Sequence, residues 1–172
     1  DANSIVLYVN GVKVASTYNS TTGTLTPNTP LTEGTHSITY AYEDASGNTS
    51  AQSPAFSLTV DATPPVAPTT AISNYDDNVG AITNANSTAT STDDTTPGFN
   101  VGAIPADASS IVLYVDGVEV AATYDALNET LTPNTPLTEG THSITYAYKD
   151  ASGNTSAQSP AFSLTVDTPP VA

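Results

Sequence analysis

The chain has no cysteine and no arginine, and its two basic residues, Lys13 and Lys149, face 17 acidic ones. Without cysteine there is no disulfide framework and no thiol chemistry. His36 and His142 occupy one repeat position rather than forming a pair, and no thiolate joins them, so zinc is not expected. A formal net charge of −15 is repelled by nucleic acid and by anionic membranes, which leaves cations as the natural partners. No run approaches the ~18 apolar residues of a spanning helix, so no membrane insertion is expected. No signal peptide is visible, but Asp1 reads as a position inside a longer protein, so that absence excludes nothing. Serine, histidine and aspartate are present, yet no Gly-x-Ser-x-Gly elbow and no glycine-rich phosphate loop accompanies them. No enzyme is expected.

Strongly apolar residues are scarce too. Leucine, isoleucine, valine and phenylalanine make up 33 of 172 residues. With a high net charge, such a composition usually marks a disordered chain. The order of the residues argues otherwise, so something must offset the charge repulsion.

At a constant offset of 106, residues 1–61 match residues 107–167 at 51 of 61 positions. Four of the ten differences touch charge: Asn10 against Asp116, Lys13 against Glu119, Asn19 against Asp125 and Glu43 against Lys149. Gly23 against Glu129 is a fifth. Most of the remainder fall in one short loop, residues 20–23 against 126–129. A period near 100 residues is that of a whole domain, not of a solenoid unit. The linker "VDATPPVAP" (residues 60–68) is stiffened by paired prolines, and it returns as "VDTPPVA" at the end of the sequence. The expected organisation is a partial module at 1–61 holding the later strands, a complete module at 62–167, and the start of a further linker at 168–172. The first copy lacks the counterpart of residues 62–106.

Strands follow from alternation. Ile111, Leu113 and Val115 share a face, as do His142, Ile144, Tyr146 and Tyr148, and then Phe162, Leu164 and Val166. Asp116-Gly117 and Asn10-Gly11 each read as a two-residue hairpin turn. "TPGFNVGA" (residues 96–103) reads as an earlier strand, and no segment reads as a helix. Short strands at regular spacing in a unit of this size predict an all-β fold of tandem immunoglobulin-like Greek-key sandwiches.

The remaining chemistry is that of carboxylates. Calcium takes about six to eight oxygen ligands from carboxylates, amides, carbonyls and water, and this sequence offers little else. In an immunoglobulin-like sandwich the last strand leaves at the end opposite the B–C and F–G loops. Asp61, leaving one unit, is therefore expected near Asp107 in "IPADAS" and near Asp150 and Asn154 in "DASGN" of the next. A second cluster joins Asp76, Asp77 and Asn78 in "YDDNVG" to Asp93 and Asp94 in "TDDTTP". Adjacent carboxylates repel unless a cation bridges them. The same residue types also build ordinary solvated turns. "DASGN" is not an EF-hand loop, and spacing alone leaves both readings open.

Taken together, "VDATPPVAP", "DDNVG", "TDDTTPGF", "LYVDGVEV" and "TPNTPLTEGTHSITYAYKDASGNTSAQSPAFSLTVD" resemble the bacterial Ig-like repeats of giant, type I-secreted surface adhesins, the RTX and biofilm-associated kind. The resemblance covers the whole chain. It implies an extracellular rod of stacked modules on the bacterial cell surface that projects a distal adhesive domain, with calcium at and near module junctions. By matching motifs, the calcium ligands would be the linker acids Asp61 and Asp167, the "DxxGN" acids Asp44 and Asp150 with Asn48 and Asn154, and Asp76, Asp77, Asp93 and Asp94. Asp1 stands at the repeat position of Asp107. The implied partners are neighbouring modules of the same chain. A second reading is a module that itself binds carbohydrate or a host surface. Sugar binders usually present exposed aromatics, whereas tryptophan is absent here and the tyrosines fall mostly in strand patterns, which favours the extender.

Overall fold

In each copy one hairpin sets the register. Asn10 and Gly11 have φ of 52° and 78°, and Asp116 and Gly117 have 53° and 80°. Positive φ at both central residues is the turn whose twist matches that of its strands. The structure, a computed structural model, describes residues 4–80 and 83–169. The chain divides into two units, Asp1–Thr63 and Pro64–Ala172.

The first unit contains β1 (Ser4–Val9), β2 (Val12–Val14), β3 (Ser16–Asn19), β4 (Thr24–Pro27), β5 (Gly34–Glu43) and β6 (Phe56–Val60). They form a four-stranded sheet, β2-β1-β5-β6, and a separate ribbon, β3-β4.

The second unit contains β7 (Tyr75–Asp77), β8 (Asn84–Ser87), β9 (Ser91–Thr92), β10 (Gly98–Asn100), β11 (Ser110–Val115), β12 (Val118–Val120), β13 (Ala122–Asp125), β14 (Thr130–Pro133), β15 (Gly140–Lys149) and β16 (Phe162–Val166). Two five-stranded sheets result, β13-β14-β10-β7-β8 and β12-β11-β15-β16-β9. The chain changes sheet at β8–β9, β9–β10, β10–β11, β12–β13 and β14–β15, which is Greek-key wiring of a sandwich. β9 runs parallel to β16, and the other paired strands are antiparallel. No helix occurs among the described residues. The strand expected over 96–103 is confined to Gly98–Asn100, although Val101 N–H still donates to the Glu129 carbonyl (3.1 Å).

The alternating apolar residues meet between these sheets. Leu113, Ile144, Leu164 and Val166 of one sheet pack with Tyr75, Phe99 and Leu131 of the other. Tyr75 sits with ring centroids 6.3 Å from Phe99 and 6.2 Å from Phe162. Burial pushes the Tyr148 hydroxyl up to about 12, with Tyr146 adding to the shift.

Residues 4–60 carry the same apolar residues in a more exposed setting. Tyr40, Tyr42 and Leu58 are 44%, 47% and 38% exposed, whereas their counterparts Tyr146, Tyr148 and Leu164 are 4%, 9% and 0% exposed. Identical sequence therefore gives two burial states. The difference is the cover that β7–β10 supply in the second unit.

Two of the charge differences between copies are one event. Lys13 pairs with Glu43 in the first unit, and Lys149 pairs with Glu119 (2.9 Å) in the second. Lysine and glutamate have exchanged strands, so the ion pair persists with reversed polarity. Both lysines of the chain are thereby engaged by glutamates.

Another difference introduces a pH-dependent contact. In the second unit His142 Nδ1–H donates to Asp116 (2.8 Å) and Nε2–H donates to the Thr138 carbonyl (2.8 Å). Both ring nitrogens face acceptors, so the imidazolium is favoured. The Asp116 bond, then the Thr138 carbonyl, raise the His142 pKa above its ordinary 6.5. Asp116 is lowered from 3.8, mainly by the Ser143 backbone N–H and then by His142. In the first unit the position of Asp116 is held by Asn10, whose Nδ2 lies 3.2 Å from His36 Nδ1. The imidazolium's contribution is complete below pH 6.5 and is lost as pH rises through the raised folded value. That of Asp116 is present above 3.8 and is lost as pH falls through its lowered folded value. The pair thus stabilises most between about pH 4 and 6.5. Urea midpoints of the second unit are expected to fall between pH 6 and 8.5, and Asp116→Asn to flatten that slope.

Candidate metal centre

The acids "YDD" and "TDD" are sorted by strand alternation. β7 points Tyr75 and Asp77 inward and leaves Asp76 on the other face. Asp76 lines an outer groove with Asn86, Asn100, Asp125 and Asn128. The four acids expected as one cluster are therefore split, because adjacent residues of a strand face opposite ways. Asn78, the next residue, is exposed.

Asp77 is buried, and its neighbour in space is Thr92 on β9. Thr92 Oγ1–H donates to Asp77 Oδ2 (3.0 Å), and Asp94 N–H donates to Thr92 Oγ1 (3.0 Å). Asp77 Oδ1 is buried and accepts no hydrogen bond. Asp94 is fully buried but satisfied, accepting from Thr96 N–H (2.7 Å). The parallel pairing of β9 with β16 draws in a third acid. Asp167 follows β16 directly, and its N–H donates to the Thr92 carbonyl (2.8 Å). Asp77, Asp93 and Asp167 line one cavity of about 310 Å³ with Ser87, Ser91 and Thr92.

Gly80 makes room for Asp93. Its φ is 79°, and a Cβ there would lie 2.0 Å from Asp93 Oδ2. Any side chain would both strain the backbone and displace the carboxylate. Gly80→Ala is expected to cost about 1 kcal/mol or more and to move Asp93 off the cavity, measured as a lower urea midpoint of the second unit. Neither Gly80 nor Thr92 was legible as a site residue. The glycine in "DDNVG" was the available signal, since a glycine beside paired acids often marks a close approach.

The other expected ligands have local duties. Asp150 accepts from Ser152 N–H (2.9 Å), Asn154 N–H (2.9 Å) and Asn154 Nδ2–H (2.8 Å). Asp44 makes the same set with Ser46 and Asn48. Both carboxylates are lowered, chiefly by the asparagine side chain. The "DASGN" loop is therefore closed by its own donors, with Gly47 and Gly153 at positive φ. Asp107 accepts from Val66 N–H (2.8 Å) and anchors the proline segment to its own unit. Asp61 belongs to the first unit, where it accepts from Thr63 N–H (3.2 Å). Asp1 lies outside the described residues.

A hard cation is tested here by one observation, the orphaned Asp77 Oδ1. A buried carboxylate oxygen without a donor costs about 1–3 kcal/mol or more, and no lysine or histidine lines its cavity. Carboxylates and hydroxyls are the donor set that calcium takes, so these residues fit it. Among the described residues no three acidic or histidine side chains converge as a ready-made cage. Asp77, Asp93 and Asp167 would hold such an ion, with Thr92 beside them.

Comparison with known proteins agrees with the topology. Fibronectin(III)-like modules of CbhA from Clostridium thermocellum superpose with a TM-score of 0.53 at 14% identity, covering 97% of this chain and 79% of that one. At that identity the likeness is one of fold. A surface glycan-binding protein, SGBP-B of the mixed-linkage glucan utilization locus of Bacteroides ovatus, aligns at 17% identity over 94% of this chain and 37% of that one, with a TM-score of 0.29. Curated protein sequences give no match. The model of the Bacterial Ig-like domain matches residues 1–62 and again 68–168. With both copies matched and a Greek-key sandwich in the complete one, the chain belongs to the bacterial Ig-like domain family.

Proposed function

We propose that the chain is an extender segment of a bacterial cell-surface adhesin. Its Ig-like modules, stiffened by calcium, would hold a distal adhesive domain away from the cell for adhesion or biofilm formation. The observation that carries this reading is the buried Asp77 carboxylate, whose Oδ1 accepts no hydrogen bond, beside Asp93 and Asp167. Both lysines are already paired with glutamates, so a divalent cation is the available counter-charge.

Position links that ion to stiffness. Asp167 opens the linker that leaves β16, whereas Asp77 and Asp93 belong to the body of the module. An ion shared among them clamps the exit of one module where the next begins. Extracellular calcium modules bind at about 10⁻⁴–10⁻³ M. Such sites fill outside the cell and stay empty inside it, so a chain of this kind remains loose for type I export and rigidifies on arrival. The reading assigns no catalysis.

Small-angle scattering of a protein carrying several copies of residues 62–167 tests the reading. An extended, stiff particle in calcium and a broader, more flexible distribution in EGTA are expected. Identical profiles in both would contradict calcium stiffening.

A further inference from the structure

The exchanged lysine and glutamate stand in a sheet that is otherwise the same in both copies. The order β2-β1-β5-β6 returns as β12-β11-β15-β16. The register returns with it: Val6↔Ala41 becomes Val112↔Ala147, and Leu7↔Tyr40 becomes Leu113↔Tyr146. Across these four strands the copies differ at two positions only, 13 against 119 and 43 against 149. Those two positions are the ion pair. Backbone hydrogen bonds and apolar contacts within the sheet therefore give the β1–β2 hairpin no preference between β5 and β15. The turn difference, Asn10 against Asp116, gives none either, because an exchange would simply hand each histidine the other's partner.

Stability does not call for the reversal. All four side chains are partly exposed, exposed pairs contribute little, and either polarity contributes alike. Polarity matters when strands are exchanged between copies. A β1–β2 hairpin seated on β15 would set Lys13 against Lys149. The reciprocal β11–β12 hairpin on β5 would set Glu119 against Glu43. Both attractions become repulsions, and like charges facing each other across a sheet are destabilising. Cross-assembly and strand exchange are the characteristic failures of repeat proteins, and these copies match at 51 of 61 positions. We infer that the reversed pair is a pairing code. It makes each hairpin accept the long strand of its own copy and reject that of the other, in the same chain or in a second one. On a surface whose hydrogen bonds and apolar contacts are shared, charge at two positions sets the partner.

The test uses the full chain, which has no cysteine of its own. Val6 pairs with Ala41 and Ala147 with Val112, so with Val6→Cys and Ala147→Cys a disulfide between the two positions marks an exchanged sheet. The chain is refolded from urea under oxidising conditions, and the cross-linked fraction is read within and between chains. Lys13→Glu with Glu43→Lys keeps the first ion pair but gives both copies one polarity. That variant should keep the parent's urea midpoints and raise the cross-linked fraction at least about fivefold. Adding Glu119→Lys with Lys149→Glu makes the polarities opposite again and should return the fraction to the parent's. In about 1 M salt the parent should approach the single-polarity variant, because screening removes the repulsion. Without the cysteines, the same ranking is expected in the dimer fraction measured by sedimentation after refolding at high concentration. A single-polarity variant that exchanges no more than the parent, including none in either, would overturn the proposal. So would a four-residue variant whose fraction stays high.

Discussion

Leu164→Ala is expected to destabilise the second unit by about 2–5 kcal/mol, while the equivalent Leu58→Ala costs the first unit no more than about 1 kcal/mol. The two leucines sit in the same local sequence, "AFSLTV", on strands of the same length. Leu164 is sealed between two sheets, so its truncation leaves a cavity as well as a lost transfer energy. Leu58 is already 38% exposed, so water fills the space and little burial is lost. Urea melts read by residue-resolved hydrogen exchange on β5 and β15 separate the two units. Equal costs in both would mean that the first unit is covered after all.

Asp77→Asn is expected to reverse its effect with the metal. In EGTA the variant should be at least as stable as the parent, because it removes a buried charge that has an unsatisfied oxygen. In calcium it should be less stable. At a free concentration near 100 times Kd, one site contributes about 2.7 kcal/mol. For a unit of this size that corresponds to roughly 10–20 °C in melting temperature, most of which Asp77→Asn should forfeit. Against a total stability of about 5–15 kcal/mol, one site is enough to offset the self-repulsion implied by a net charge of −15. A variant equally destabilised with and without calcium would make Asp77 a structural residue only.

The sandwich was legible wherever strands are long enough to alternate. Ile111, Leu113, Ile144, Tyr146 and Leu164 reveal their inward face in the sequence itself, and Asp116-Gly117 announces the hairpin by its need for positive φ. β7, β9 and β10 are two or three residues long, too short for a period to emerge, so the separation of Asp76 from Asp77 was not visible. The lysine–glutamate exchange was visible as two unrelated differences, 30 residues apart within each copy. The register β2-β1-β5 and its repeat β12-β11-β15 make them one ion pair. Asp167 was expected as a linker acid and Asp77 in a separate cluster with Asp93. The parallel pairing of β9 with β16, a long-range contact, is what brings them to one cavity.

The most direct test of the central claim is terbium luminescence. Terbium replaces calcium at oxygen sites and is sensitised by nearby tyrosine, and Tyr75 lies on the same face of β7 as Asp77. The account predicts a saturable signal from the full chain that calcium displaces, that magnesium displaces poorly, and that Asp77→Asn abolishes or sharply reduces. A signal that Asp77→Asn leaves intact, or no signal at all, would contradict a metal centre at Asp77, Asp93 and Asp167.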